Sequence, residues 1–223
     1  MPLSETCLEK PRKPSGLRQF CDDQRKDAAF NDVERKLSHL RKGVGRSYQV
    51  YFTEIVPLAL FSSKYYDDTV NIQPVLGSQT YDARVKKWGV TLEKIEITKP
   101  HDGKALSEEL NLLATRGYGE LGLGTPLQLL QRLEPIIKTT AENKASKNYS
   151  GAVLVFALTY DPPFPCQEKA IFELLMKYLE LLKSYKFKAR RVVMFDMISG
   201  EVYEVQRGNF IHSLLRVLIG KSQ

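Results

Sequence analysis

QTYDARVKKWGVTLEKIEITK, residues Gln79 to Lys99, decides the architecture. Its apolar residues recur at every second position, the period of a strand with one buried face. Two strands, 79–86 and 90–99, are expected, joined by a tight turn at Lys87-Trp88-Gly89. One face carries Tyr81, Ala83 and Val85, then Glu93, Ile95 and Ile97; the other carries Thr80, Asp82, Arg84 and Lys86, then Lys94, Glu96 and Thr98. Bringing the apolar faces together requires a register that preserves parity. The simplest places Ala83 opposite Ile95, and therefore Asp82 opposite Glu96. Carboxylates directly across a ladder repel, by roughly 0.2–1 kcal/mol. A divalent cation shared by the two would offset this, since Mg²⁺ is held by one or two carboxylates plus waters and substrate phosphates. Diagonal ion pairs, Arg84 with Glu96 and Lys94 with Asp82, would neutralise the same face without a metal.

Outward from this hairpin the chain alternates helices and strands. Residues 1–21, with Pro2, Pro11, Pro14 and Gly16, are expected as a flexible basic arm. Helices are expected over 22–42, capped by Asp22 and Asp23, and over 47–63, with Pro57 as a kink or break. Val70, Ile72 and Val75 mark a first strand. A short helix at 105–114 and the glycine-dotted GYGELGLGTP form an excursion. Thr125 caps a helix running to about Asn148, bent or restarted at Pro135. GAVLVFALT, residues 151–159, is a continuous apolar run, the mark of a strand buried on both faces. An amphipathic helix over 167–185, a hairpin around Ser199-Gly200 (191–197 with 202–205) and a last helix at 209–219 complete the chain. The expectation is α/β: one domain over 22–223, with a central mixed sheet flanked by helices and a helix-hairpin-helix extension at 161–223.

The chain has 223 residues, enough for a sizeable core, and 43% of them are hydrophobic, which argues against wholesale disorder. No apolar run approaches the ~20 residues of a membrane span, and the N-terminus has no apolar signal segment. Three cysteines (Cys7, Cys21, Cys166) and three histidines (His39, His101, His212) lack zinc-site spacing. A reducing, cytoplasmic setting and no membrane partner are expected. The net charge is +7, and it is carried at the ends: eleven Lys+Arg against seven Asp+Glu in 1–46, twelve against twelve in 47–150, ten against seven in 151–223. Basic ends favour polyanions. Lys183, Lys186, Lys188, Arg190 and Arg191, interleaved with Tyr185 and Phe187, suit a phosphate backbone or simply a solvated turn.

The helix after Thr125 has an apolar stripe, Leu130, Leu133, Ile137 and Ala141, whose next member is Lys144. If this helix crosses the polar side of the hairpin, Lys144 points towards Asp82 and Glu96. Elsewhere, GELGLGTP lacks the lysine of a phosphate loop and reads as a flap. His101 reads as a turn residue. There is no G-x-S-x-G elbow, and no histidine near Cys166 in sequence, so hydrolase triads have no support.

The order helix, strand, YDA strand, IEIT strand, helix ending in KASKNY, buried strand resembles the PD-(D/E)xK (restriction-endonuclease-like) nuclease superfamily over about residues 47–160. The resemblance implies a restriction-endonuclease-like core, with Asp82 as the first acid and Glu96 as the acid of the acid-x-Lys triplet. These would bind Mg²⁺ or Mn²⁺ together with the Ile97 carbonyl. It also implies a lysine that assists the attacking water, and an acid on the preceding helix, for which Glu54 is the match. Gln79, three before Asp82, reads either as a contact to a phosphate or a base or as a turn residue. The departure is Thr98, which stands at the usual lysine position and carries no charge; Lys144 or Lys94 must replace it, or the chemistry is lost. Two readings follow. One is a metal-dependent nuclease hydrolysing phosphodiesters of nucleic acid, expected to be DNA, with Asp82, Glu96 and Lys144 as catalytic residues. The other is an inactive module of the same fold that binds nucleic acid or protein. Apolar surface left on the 167–185 helix allows a homodimer.

Overall fold

The computed structural model describes residues 5–30, 50–77, 80–100, 125–160 and 162–207. The expectations for residues 31–42, Gln79, His101, the 101–124 excursion and the 209–219 helix lie outside them. The described elements are α1 (Glu5–Leu8), α2 (Pro14–Phe30), a π-helical turn (Tyr51–Ile55) running into α3 (Val56–Tyr65), β1 (Asn71–Pro74), β2 (Ala83–Lys87), β3 (Val90–Thr98), α4 (Pro126–Gln131), α5 (Glu134–Ala145), β4 (Asn148–Leu158), α6 (Glu168–Lys183), β5 (Lys188–Asp196) and β6 (Val202–Arg207).

The six strands form one mixed sheet in the order β1-β2-β3-β4-β5-β6. The pairs β1–β2, β2–β3 and β5–β6 are antiparallel, whereas β3–β4 and β4–β5 are parallel. The parallel steps need crossovers, and the chain supplies α4–α5 for one and α6 for the other. Helices cover both faces. On one face Val153, Val155 and Ala157 of β4 join Ile95, Ile97, Leu58 and Phe61 in a core closed by α2 and α3. On the other, Leu154, Phe156 and Leu158 pack with Ile137, Ala141, Ile171 and Leu175 of α5 and α6. The unbroken apolar run of β4 is thus buried on both sides. Among the described residues no helix is long and apolar enough to cross a membrane.

Local chemistry sets the joints. Trp88 (φ 50°) and Gly89 (φ 80°) both take the left-handed conformation between β2 and β3, as a type I′ hairpin turn requires. For a tryptophan this costs about 1 kcal/mol. Thr125 caps α4 reciprocally: its hydroxyl accepts from the Gln128 N–H, and the Gln128 side chain accepts from the Thr125 N–H. Pro135 sits in the first turn of α5, so it restarts the helix rather than bending it.

Residues 5–21, expected as part of a loose arm, hold α1 and the start of α2 instead. Pro14 opens α2, because a proline in a first helical turn forfeits no intrahelical bond. Asp22 and Asp23 consequently fall inside the helix, bonded to Arg18 and Gln19 one turn earlier. Leu8, Leu17 and Cys21 are buried in the core. Arg12 exchanges two backbone hydrogen bonds with Ile72 of β1, and the Tyr51 hydroxyl donates to the Cys21 carbonyl. Leu17→Ala should therefore lower stability by about 2–5 kcal/mol, read as a drop in the urea midpoint. A detached arm would leave that midpoint unchanged.

Candidate active site

The site is assembled from four elements around β3. The β2–β3 ladder pairs Ala83 with Ile95, so Asp82 stands at the entrance to β2, level with Glu96. Asp82 is tied at three points, two through its backbone and one through its side chain. Asp82 N–H donates to the Ile95 carbonyl (2.8 Å), the Asp82 carbonyl accepts from Val75 N–H (2.8 Å), and the carboxylate Oδ2 accepts from Ile97 N–H (2.6 Å). The carboxylate thus stands in for a ladder carbonyl. In an extended strand a residue's N–H and C=O point to the same side, so the Ile97 carbonyl also faces the Asp82 side.

Glu96 is 9% exposed and lies on the β3 face that meets α5. Lys144, in the last turn of α5, donates to Glu96 Oε1 at 2.6 Å. It reaches the acid because Ile137 and Ala141, earlier on the same helical stripe, are fully buried against the sheet. Its ammonium also lies 5.2 Å from the centroid of the buried Tyr149 ring. Glu54 lies on the π-helical turn, a distortion frequent at functional sites. Its negative charge is felt at Asp82.

The diagonal ion pairs that would have neutralised the face do not form. Arg84 donates to the Tyr81 hydroxyl (3.2 and 2.9 Å), and Lys94 Nζ sits 4.4 Å above the Tyr81 ring. One aromatic side chain therefore draws both cations away from the acids. Of Lys94 and Lys144, Lys144 touches an acid and Lys94 lies over the Tyr81 ring.

The electrostatics follow. Burial, then the neighbouring Glu96 and Glu54, push the Asp82 carboxyl up to about 7, against the opposing pull of Ile97 N–H and Lys144. Burial also raises Glu96, although Lys144, and Lys147 from the exposed side, oppose it. Burial works to lower the Lys144 pKa, but contact with Glu96 outweighs it and the ammonium is held charged. Asp82 thus stands beside a second acid, Glu96, whose own partner is the half-buried Lys144 ammonium. Thr98, two residues beyond Glu96 on the same face, is 6% exposed, and its Oγ1 has no hydrogen-bond partner among the described residues. A buried hydroxyl left unpaired costs about 1–3 kcal/mol.

The donor set suits a hard divalent cation: two carboxylates level on neighbouring strands, a backbone carbonyl on the Asp82 side of β3, and an orphaned hydroxyl two residues beyond Glu96. It is not a cage of side chains, for among the described residues no three His, Cys, Asp or Glu groups lie together closely enough to hold a metal ion. Lys99, Lys147, Tyr81 and Tyr149 were passed over in the sequence. Burial lowers the pKa of Lys99, which directly follows Thr98. Its signal was its place at the end of IEITK, one step from the expected lysine. Cys21 offers no nucleophile: it is buried, and burial pushes its thiol up to about 11.

No protein-family model, curated protein or solved structure matches the chain. The functional reading therefore rests on the geometry.

Asp82 gives a stability signature. Its carboxyl titrates near 3.8 when unperturbed and near 7 when folded. Between those values the folded state holds more protons than the unfolded one, so stability falls as pH rises from about 4 to about 7. Asp82→Asn keeps an acceptor for Ile97 N–H and removes the charge. In metal-free buffer it should raise the stability to urea at pH 7.5, by up to about 4 kcal/mol, and the gain should vanish towards pH 4. Equal destabilisation at both pH values would show that the carboxylate is needed for structure.

Proposed function

We propose that the chain is a metal-dependent nuclease-like protein that hydrolyses phosphodiesters of nucleic acid, on a core of the PD-(D/E)xK, restriction-endonuclease-like type. The observation that carries this reading is that Asp82 and Glu96 stand level on neighbouring strands, with Lys144 of a third element bonded to Glu96 and the charge of Glu54, from a fourth, felt at Asp82. Sequence distances of 14 to 90 residues separate them. The order of β1 to β4, two antiparallel steps followed by a parallel one through a helical crossover, supports the same core. A cytoplasmic setting and DNA as the polyanion belong to this reading. So does a homodimer formed through α6.

Asp82 and Glu96 would hold Mg²⁺ or Mn²⁺ with the Ile97 carbonyl, and the ion would supply acidity to a water and positive charge to the phosphate. The chain's own groups do the rest. Lys144, kept protonated by Glu96, presents an N–H to the anionic oxygen that develops during attack. It fills the role that the triplet lysine has in the superfamily, from a helix rather than from β3. Thr98 Oγ1 offers a hydrogen bond at the same level. Glu54 deepens the negative potential that draws a cation in. Arg84 and Lys94, gathered on Tyr81, lie next to Asp82 on the polar strand face, where they can steer a backbone phosphate.

Asp82→Ala and Glu96→Ala should each abolish Mg²⁺- or Mn²⁺-dependent cleavage while the protein remains folded. Lys144→Ala should reduce the rate at least a hundredfold, the scale of removing one charge-stabilising donor. Independently of activity, millimolar Mn²⁺ should raise the melting temperature of the wild type and leave that of Asp82→Ala unchanged. Cleavage that survives both acid substitutions would remove the site.

Thr98 at the lysine position favours a second reading, a catalytically silent module that binds nucleic acid. It requires salt-sensitive binding with no divalent-ion dependence and no thermal shift with Mn²⁺.

A further inference from the structure

The hairpin that positions Asp82 and Glu96 continues beyond the sheet at its other end. β1 follows β2 only as far as the Asn71–Lys86 pair, and β4 meets β3 only from Lys94 onward. The turn and the strand ends beside it therefore project from the sheet. On this projection Trp88 is 90% exposed, Val90 64% and Leu92 49%. Trp88 also occupies a left-handed turn position, where asparagine, aspartate or glycine would fit without strain. The side chain thus costs the fold twice, in backbone strain and in exposed apolar surface. Its one described aromatic contact is the Lys87 ammonium, 4.9 Å from the ring centroid. A residue that breaks local rules without internal compensation points outward, to a ligand.

The charge around it selects the ligand. Lys86 and Lys87 flank the turn on β2, and Lys94 follows on β3. The nearby acids are already engaged: Glu93 accepts from the Tyr66 hydroxyl and pairs with Arg190, and Asp67 accepts from Thr69. An exposed indole between lysines is the arrangement that stacks on a base while the cations meet the phosphates. Along β3 the six steps from Val90 to Glu96 span roughly 20 Å, so one bound strand can reach both the tip and the acids.

We propose that the Lys86–Val90 tip is a stacking platform for a single-stranded segment of nucleic acid, with Trp88 against a base and Lys86 and Lys87 on adjoining phosphates. This rests on the nucleic-acid reading above. Trp88 is the only tryptophan in the chain, so its fluorescence reports on the tip directly. The full-length protein in EDTA is titrated with a fluorescein-labelled single-stranded oligodeoxynucleotide, followed by anisotropy, and with the unlabelled strand, followed by indole emission. Emission should be quenched in step with binding. Trp88→Ala should weaken binding about five- to a hundredfold, with an unchanged melting temperature, and Trp88→Phe should restore most of the affinity. Binding with unaltered emission, and equal affinity of Trp88→Ala, would overturn the platform while leaving the nucleic-acid reading intact. No binding by any form would overturn both. A blue shift with phosphatidylserine vesicles, without quenching by the oligonucleotide, would assign the tip to an anionic membrane surface and overturn the proposal.

Discussion

A buried carboxylate set beside a second acid governs this structure. Asp82 is set in place by backbone bonds to Ile95 and Val75, and its carboxylate is held inward by the Ile97 N–H. Glu96 faces it from β3, and Glu54 adds a third negative charge. The Lys144 ammonium is held to Glu96 at 2.6 Å. Ionising Asp82 in this setting opposes folding, and chains retain such arrangements where function uses the charge.

The rest of the fold serves that placement. Parity of the apolar positions brings Ala83 to Ile95 and hence Asp82 level with Glu96. The parallel β3–β4 step forces a crossover, and the crossover helix carries Ile137, Ala141 and Lys144 across the polar face of β3. The Thr125 cap and Pro135 set where that helix begins. On the opposite face α2 and α3 close the core, and the π-helical turn before α3 brings Glu54 close enough for its charge to act on Asp82.

Much of this was legible in the sequence, and the reason is periodicity. A period of two fixes which side chains share a strand face, and a stripe of three and four fixes where Lys144 points. The continuous run GAVLVFALT fixes a strand buried twice. What could not be read depends on chemistry without a period. The prolines of residues 2–14 look like breakers, yet Pro14 is a helix start, and Leu17 and Cys21 make a stripe too short to stand out. The diagonal ion pairs were reasonable from charge alone, but the Tyr81 ring and hydroxyl capture both Arg84 and Lys94. The side-chain bond from Asp82 to Ile97 N–H has no pattern in one dimension, nor does the orphaned hydroxyl of Thr98.

Carbon-13 NMR titration of aspartate-labelled protein, in metal-free buffer with Asp82→Asn as the assignment control, measures the central claim directly. The Asp82 carboxyl should titrate near 7 and move down when Mn²⁺-like charge is supplied by diamagnetic Mg²⁺. A carboxyl that titrates near 3.8 and ignores Mg²⁺ would mean that its charge is already satisfied, and the account of an acid cluster awaiting a cation would be contradicted.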